Sequence, residues 1–496
     1  MRRISVDRWV LRMIAVGAVL LLSNLGNGRL WQDEAETAVL GRNILHDGYP
    51  SAFDGVNRLN PSLPVQAGSA WTYHTWLPMY AAAASFLVAG PTTAAARFPF
   101  ALMGAAAIWL GYLAARRLTG DRTVARLTTF LLVTSVPFLL HMRQCRYYAP
   151  AVLFTLWSVL AYWRFIRLRP WAVAELICAG VLLFHAEHGA FAPVFLALGI
   201  HHIFTQKGRI QRRRGITAAV ILLALTVPWV IYLHAEQHHR AFALREISHH
   251  FQFYFRQINR FLFPIVPWIL LLIPWRPIFK NLFGAQGTTA RQGWNLMGIL
   301  FGGGFLFLIL LPEQRHFRYL VFLIPFLLVF HAALLARMIR AKRWLGVVLA
   351  GLLIFTPDVS RIRCLFLEFI GELTHPYRGP MDGIVELLQK ESRAGETLKT
   401  PYEEHPILFY TPSLGVEPLE KSEDFARETF PDWIVLRRDW LPHGFFDSPY
   451  YRQIQARYQE VLLDAPDIPW QNRPDPGYHR FRTDLKASRV IVFHRK

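Results

Sequence analysis

Long apolar runs dominate residues 1–358 and alternate with short polar segments. About eleven of these runs are long enough, judged against the thickness of a bilayer, to predict membrane-spanning helices. Since a helix satisfies its backbone polar groups within one segment, the pattern predicts an all-α polytopic membrane domain. The predicted spans cover residues 9–27, 98–115, 124–141, 149–163, 171–186, 189–204, 216–235, 262–275, 294–312, 319–336 and 344–358.

Residues 359–496 show a different pattern, with apolar and polar positions mixed as in a globular protein. Gly and Pro bound a helical pattern over residues 380–392. Short apolar or alternating runs predict strands at Thr397–Thr400, Trp433–Leu436 and Arg489–His494. The pattern therefore predicts a small soluble α/β domain after the membrane domain.

Basic residues fill every second gap between the predicted spans, and they include Arg2 and Arg3 at the N-terminus. Because basic loops stay on the cytoplasmic side, this alternation predicts a cytoplasmic N-terminus and an extracytoplasmic C-terminal domain. Counting the short apolar run 76–90 as a span would invert every later basic loop. We therefore expect a re-entrant or interfacial helix there, within a long first outer loop over residues 28–97.

Composition narrows the function classes. The chain is 53% hydrophobic and has a net charge of +20. Residues 1–359 hold 35 Lys and Arg against 13 Asp and Glu, so the basic excess belongs to the membrane part. It can set topology and contact membrane lipid. Without a soluble basic module we expect no nucleic-acid partner. The three cysteines show neither metal-ligand spacing nor a disulfide pattern.

Three carboxylates, those of Asp33, Glu34 and Glu36, directly follow the first apolar segment. Carboxylates at a lipid boundary are costly to desolvate, which makes the group a functional-site hypothesis. The alternative is the solvated start of a helix, with Asp33 as N-cap and the two glutamates in the first turn. Both interpretations are open at this stage.

Cations in the predicted outer loops form a second candidate group. They are unexpected there, because outer positive charge opposes the usual orientation bias. Guanidinium groups with neighbouring tyrosines suit a lipid-linked phosphate or pyrophosphate. The alternative is that they are interfacial anchors whose charged ends reach the headgroups. The candidate phosphate ligands are Arg143, Arg146, Tyr147, Arg315 and Arg318.

Several motifs, taken in order, resemble those of the GT-C membrane glycosyltransferases that use polyprenyl-phosphate sugars. This group includes the protein O-mannosyltransferases and the lipid A aminoarabinose transferases. The matching motifs are Asp33-Glu34-Ala35 followed by Gly41-Arg42-Asn43, Gly48-Tyr49-Pro50, Tyr73-His74-Thr75-Trp76-Leu77, Ala96-Arg97-Phe98-Pro99, the segment 114–120, Pro137-Phe138 leading to Arg143 and Arg146-Tyr147, and Arg318-Tyr319 with Pro325.

The resemblance implies roles for individual residues. It implies catalysis by Asp33, as the base that takes a proton from the acceptor during an inverting single displacement. Glu34 would orient Asp33 or the acceptor. His74 stands where family members place a cation that touches the donor phosphate, although the usual Pro-Pro sequence is missing. Glu36 stands where some members carry an arginine.

The expected partners are a polyprenyl-phosphate-linked sugar donor, an extracytoplasmic acceptor and membrane lipid, in a bacterial inner membrane. We expect no cofactor and no catalytic metal, because cations replace the metal and the second outer loop lacks an acidic cluster. A structural zinc in the histidine-rich loop 236–261 stays open. Two other functions also stay open: a lipid-linked sugar flippase or transporter, and a polysaccharide ligase or polymerase with a lipid-pyrophosphate donor.

Overall fold

The structure is a computed structural model that describes residues 7–59, 69–206, 208–233, 244–264, 287–310, 314–344, 346–348, 351, 364–419, 430–441, 443–469, 472–484 and 486–496. Up to residue 341 the described residues are mainly helical, as predicted. The helices are α1 (Arg8–Leu22), α2 (Gln32–Asp47), α3 (Leu77–Ala89), α4 (Thr93–Thr119), α5 (Arg122–Thr134), α6 (Val136–Met142), α7 (Tyr148–Phe165), α8 (Ala172–Ala186), α9 (His188–Thr205), α10 (Arg209–Tyr232), α11 (Leu244–Phe261), α12 (Thr288–Leu310), a 3-10 helix (Phe317–Leu323) and α13 (Ile324–Ala341).

Residues just outside the helices fix where several of them begin and end. The side chains of Asp7, Thr92 and Asp121 accept hydrogen bonds from backbone N–H groups in the first turns of α1, α4 and α5. These bonds satisfy donors that have no partner within the helix. Gly120 ends α4 in the left-handed conformation, which a glycine adopts without steric cost.

Within the described part of the chain, five helical stretches are long and apolar enough to cross a membrane. A sixth is counted when the bent pair α5 and α6 is taken as one span. The chain is therefore a membrane protein, while the total of about eleven spans stays a prediction. The five stretches are α4, α9, α10, α12 and Phe317–Ala341.

Of the remaining predicted spans, 149–163 forms α7, a helix of 18 residues, and the others form shorter or interrupted helices or lie outside the described residues. The run 9–27 forms α1 and the run 171–186 forms α8, each of 15 residues. The run 124–141 is broken by a bend of 66° between α5 and α6. Pro137 near the start of α6 explains the break, because proline cannot continue the hydrogen-bond ladder of α5. Most of runs 262–275 and 344–358 is not described.

The segment 76–90 forms α3, a helix of 13 residues that packs between α2 and α4. A Cβ atom on Gly41 of α2 would lie 3.0 Å from the Cβ of Ala82 and 3.0 Å from the carbonyl oxygen of Met79. The two helices therefore meet at a distance that only glycine permits without movement of a neighbour. The predicted helix is confirmed, while its re-entrant character stays a prediction.

The C-terminal part contains a five-stranded sheet, in the order β2 (Gly415–Pro418), β1 (Thr397–Thr400), β3 (Trp433–Leu436), β5 (Arg489–Arg495) and β4 (Tyr458–Pro466). β1 is parallel to β2 and β3, whereas β5 is antiparallel to both β3 and β4. The predicted helix and the three predicted strands are confirmed; β2 and β4 were not predicted. The elements are α14 (Leu365–Thr374), α15 (Pro380–Glu391), β1 (Thr397–Thr400), α16 (Glu404–Tyr410), β2 (Gly415–Pro418), β3 (Trp433–Leu436), 3-10 turns (Arg438–Trp440 and Phe445–Asp447), α17 (Pro449–Arg457), β4 (Tyr458–Pro466) and β5 (Arg489–Arg495).

The sheet packs on both faces, as the period of two along β3 requires. Trp433 and Val435 belong to the apolar core that continues into the helical bundle. Ile434 and Leu436 point to the other face, into a smaller core closed by α17. The C-terminal part is therefore joined to the bundle by a continuous apolar core.

Polar contacts between the first outer loop and the C-terminal part add to this core. Asn57 donates to the carbonyl oxygen of Leu414 at 2.8 Å and accepts from the backbone N–H of Val416 at 2.7 Å. Arg42 of α2 donates to carbonyl oxygens near the end of α16. These contacts hold α2 beneath the C-terminal part, which positions the residues described next.

Candidate active site

Asp33 lies in the first turn of α2, and its carboxylate forms an ion pair with Arg318 at the start of the 3-10 helix. About a fifth of the Asp33 side chain is exposed. Burial alone raises the pKa of Asp33, but the positive charges of Arg318, Arg146 and Arg473 outweigh it and hold the pKa below its usual range. Asp33 is therefore ionised at neutral pH, the form that a general base requires.

Arg146 lies beside Asp33 and links three elements. It donates to the Glu36 carboxylate at 2.6 Å, the Thr37 hydroxyl at 3.0 Å and the Asp33 carbonyl oxygen at 3.1 Å. Its second terminal nitrogen lies 2.9 Å from Nε2 of His74. Because a guanidinium only donates, Nε2 of His74 is the acceptor in this contact. The predicted residues Arg146 and His74 thus come together, around a glutamate that lies on the same helix as Asp33.

Glu34 points away from this cluster and is fully buried. Its two carboxylate oxygens each lie 2.8 Å from a nitrogen of Arg97, and one of them also accepts from the backbone N–H of Cys145 at 3.0 Å. Arg97 in turn donates to carbonyl oxygens in the turn after α1. In this position Glu34 fixes the start of α2 and has no access to an acceptor.

Arg143 is also outside the cluster. Its guanidinium donates to the carbonyl oxygens of Leu20, Ser23 and Asn24 at the C-terminal end of α1. The positive charge there complements the negative end of the helix dipole. The structure therefore places Arg143 as a helix cap, away from Asp33 and Arg318.

Arg315 and Tyr147 are the remaining candidate phosphate ligands, and each is close in sequence to an arginine of the cluster. The Arg315 side chain is exposed, three residues before Arg318. Tyr147 follows Arg146, and its ring lies 4.6 Å from that of Tyr148 and 6.4 Å from that of His74. Burial is the main cause that raises the pKa of Tyr147, so its hydroxyl stays protonated and is able to donate a hydrogen bond.

The C-terminal part contributes charged groups that the sequence did not predict. Arg473 lies 2.6 Å from the Asp475 carboxylate and donates to Nδ1 of His316 at 2.7 Å. Both Arg473 and Asp475 are buried. Burial, together with the charges of Arg318 and Arg473, lowers the pKa of His316 to about 4, so it is neutral and accepts this bond. His405 of α16 is also near enough to lower the pKa of Asp33.

Three arginines and three carboxylates make up the cluster: Arg146, Arg318 and Arg473 with Asp33, Glu36 and Asp475. Their charges balance, and Arg315 adds one exposed positive charge at the edge. Within the described ranges no three His, Cys, Asp or Glu side chains converge as metal ligands would. Part of the histidine-rich loop 236–261 lies outside those ranges.

Comparison with known proteins places this geometry in a family context. A sequence profile of the dolichyl-phosphate-mannose-protein mannosyltransferases matches residues 73–232, which include His74, Arg146 and Tyr147. Undecaprenyl phosphate-alpha-4-amino-4-deoxy-L-arabinose arabinosyl transferase 1 of Pseudomonas fluorescens (strain Pf0-1) is 26% identical over 197 residues, 36% of this chain and 34% of that protein. The chain thus matches about a third of the length of this relative.

Solved structures agree over nearly the whole chain. ArnT from Cupriavidus metallidurans in the apo state superposes with a TM-score of 0.58 at 16% identity, covering 98% of both chains. This chain has the fold of the GT-C membrane glycosyltransferases. The resemblance recognised in its motifs is confirmed.

Two further structures share this GT-C fold. ArnT bound to undecaprenyl phosphate gives a TM-score of 0.56 at 15% identity over 99% of this chain and 98% of that one. The oligosaccharyltransferase AglB of Archaeoglobus fulgidus, with an inhibitory peptide and a dolichol-phosphate, gives 0.54 at 11% identity over 93% and 74%. In this chain, α16 and the segment around Arg473, both in the C-terminal part, lie beside the Asp33 cluster.

Proposed function

We propose that this protein is an integral membrane glycosyltransferase that moves a sugar from a polyprenyl-phosphate carrier to an acceptor by an inverting single displacement. The observation that carries the proposal is an ionised, partly exposed Asp33 held against Arg318 in a chain with the GT-C fold. Asp33 takes the proton of the acceptor nucleophile as that nucleophile attacks the anomeric carbon. The sugar phosphate bond breaks, and the carrier phosphate leaves as an anion.

Arg318 and Arg315 are the proposed ligands of the donor phosphate. Arg318 borders Asp33, and the exposed Arg315 supplies a positive charge that the cluster does not compensate. Tyr147 is placed to donate a further hydrogen bond. Arg146 also lies beside Asp33, but one of its terminal nitrogens already donates to Glu36, Thr37 and Asp33, and the other lies 2.9 Å from Nε2 of His74. We assign Arg146 mainly to positioning Asp33, and Glu34 and Arg143 to positioning the elements around it.

The names of the similar proteins support the donor class. The arabinosyl transferase of Pseudomonas fluorescens is named for an undecaprenyl-phosphate sugar, and ArnT was solved with undecaprenyl phosphate. We therefore infer that the donor is a polyprenyl-phosphate sugar. A panel of donors that carry labelled pentose and hexose derivatives would identify the sugar. We also propose a membrane domain over residues 1–358 and an extracytoplasmic domain over residues 359–496, with the N-terminus in the cytoplasm of a bacterial inner membrane.

Substitution of the proposed base tests this function. Asp33→Asn should reduce sugar transfer by at least about a hundredfold, the usual effect of losing a general base. Binding of the labelled donor should stay close to that of the wild type, because Asp33 acts on the acceptor. Asp47→Asn removes the same charge from the exposed end of the same helix and should leave transfer unchanged. Transfer by Asp33→Asn at the wild-type rate would refute the assignment.

The transporter alternative is separated by the choice of medium. In detergent micelles no membrane separates two compartments, so transport by a flippase cannot be detected there. A glycosyltransferase still moves the labelled sugar to an acceptor and releases the polyprenyl phosphate. Release of that product by the wild type but not by Asp33→Asn is the expected result.

A further inference from the structure

An open cavity of about 930 Å³ lies among the basic ends of four helices. The end of α4, the start of α5, the start of α12 and the end of α13 surround it. The lining residues that matter here are Arg116, Asp121, Arg122, Ala290, Arg337 and Arg340. The charged side chains come from three separate elements, so the cavity is a product of the fold.

This cavity is at the end of the bundle opposite Asp33. α4 begins beside the candidate active site, where Arg97 binds Glu34, and ends at the cavity with Arg116. The stretch Phe317–Ala341 likewise begins beside Arg318 and ends with Arg340. α4 has 27 residues and is therefore about 40 Å long at 1.5 Å per residue. The cavity is thus separate from the site proposed for sugar transfer.

The cavity is strongly basic. Four arginines and one aspartate line it, which gives a net charge of +3. Arg340 binds the Asp121 carboxylate at 2.5 Å, and Arg116 donates to the Gly120 carbonyl oxygen at 2.5 Å. About half of the side chains of Arg122 and Arg340 is exposed. Arg122 also pairs with Asp7, which binds Arg126 as well, so the five arginines in and beside the cavity exceed the two carboxylates by three charges. Accessible guanidinium groups bind phosphate through paired donors.

We propose that this cavity binds the phosphate of an anionic phospholipid headgroup. The hydrocarbon core of a bilayer is about 30 Å thick, so the ends of a 40 Å helix reach the headgroup layer. Basic pockets between spanning helices are typical sites for such headgroups. The volume lies within the range of about 300–1,000 Å³ that is common for small-ligand sites. The proposal does not depend on the sugar-transfer function.

Native mass spectrometry of the purified full-length protein tests the site. The wild-type protein in detergent is titrated separately with three ligands. Phosphatidylglycerol is anionic, phosphatidylcholine has no net charge, and inorganic phosphate tests whether the cavity binds free phosphate instead of a lipid headgroup. We expect preferential binding of phosphatidylglycerol. The double variant Arg116→Gln with Arg337→Gln should weaken that binding by about tenfold or more, since charge-assisted hydrogen bonds are lost.

Two further variants distinguish the cavity from general surface charge. Arg212→Gln with Arg213→Gln removes two exposed arginines at the start of α10, outside the cavity, and should bind phosphatidylglycerol as the wild type does. Ala290→Trp keeps every arginine but fills the cavity, and should abolish the preference. The midpoint of thermal unfolding without lipid shows whether each variant is folded.

Three results would overturn the proposal. The first is an equal loss of binding in the Arg212 and Arg213 double variant, which would indicate diffuse charge. The second is full binding by a folded Ala290→Trp protein. The third is that inorganic phosphate saturates the cavity while phosphatidylglycerol, at the same concentration, neither binds nor displaces it. The cavity would then be a site for free phosphate.

Discussion

Asp33 and Arg318 form the ion pair on which the proposed chemistry depends, and this pair also determines how the site responds to pH. Burial of Asp33 and attraction by the surrounding arginines act in opposite directions on its pKa, and the attraction is larger. A base with a lowered pKa stays ionised at lower pH, so activity is lost only as pH falls through that lowered value. Removing a cation must move the loss to higher pH.

We therefore predict that Arg318→Gln shifts the acidic limb of the profile of kcat/KM against pH upward. The pKa of Asp33 rises because burial is no longer offset by its nearest partner. Arg315→Gln is the matched control, since it removes the neighbouring exposed arginine, which is not among the charges that perturb Asp33. It should raise KM for the donor without moving the limb. The prediction would be contradicted if kcat/KM of the wild type and of Arg318→Gln fell at the same pH on the acidic side.

The roles of the three N-terminal carboxylates show what residue-level reasoning predicts. Residues three or four apart share one face of a helix, so Asp33, Glu36 and Thr37 fall together and Glu34 faces elsewhere. Arg146 indeed contacts all three residues of the first face, while Arg97 binds Glu34. Helical spacing alone separates Glu34 from Asp33, whereas the family resemblance had led us to expect both residues in catalysis. The partners were not predictable, because they lie more than sixty positions away in sequence.

At the scale of elements, the Arg97 and Glu34 pair holds α2 against α4. Both side chains are almost completely buried, with exposures of 6% and 0%. Removing one member of such a pair leaves the other charge buried without a partner, which costs about 3–5 kcal/mol. We predict that Arg97→Gln lowers the midpoint of thermal unfolding in detergent substantially.

The control for this prediction is an exposed pair of the same chemistry. Arg378 binds Glu386 at 2.9 Å, with both side chains about half exposed. Pairs of this kind contribute about 0–1 kcal/mol, so Arg378→Gln should change the midpoint little. Equal changes in the two variants would mean that the buried pair does not anchor α2.

Element boundaries were predictable where a local residue fixes them. Apolar strands flanked by Pro or Gly, such as Trp433–Leu436, were found from the sequence and are confirmed. β2 spans only four residues and ends in a proline at the sheet edge, so it has no apolar pattern to detect. β4 alternates weakly because several of its side chains are exposed. The extended conformation of β2 and β4 is therefore determined by pairing with neighbouring strands and not by a local sequence pattern.

At the scale of the whole molecule, the C-terminal part completes the site. The segment around Arg473 reaches the cluster from a position 440 residues after Asp33 in the numbering. Asn472 accepts a hydrogen bond from Gln144, and His479 lies 2.6 Å from the Glu372 carboxylate. The sequence predicted a soluble domain here but no contact with Asp33, because buried charges in an irregular segment produce no periodic pattern.

The last prediction concerns Arg473, which joins the C-terminal part to the loop just before the 3-10 helix that carries Arg318. Arg473 donates a hydrogen bond to His316, which is two residues before Arg318. Loss of the Arg473 guanidinium therefore removes a contact that holds this loop in place. We predict that Arg473→Gln lowers kcat/KM for sugar transfer by about a hundredfold, as displacement of a positioned group by about 1 Å does. The control is Arg489→Gln, which breaks an exposed pair with Asp464 at the edge of the same sheet and should transfer sugar normally. Wild-type kcat/KM in a folded Arg473→Gln protein would show that the C-terminal part covers the site without organising it.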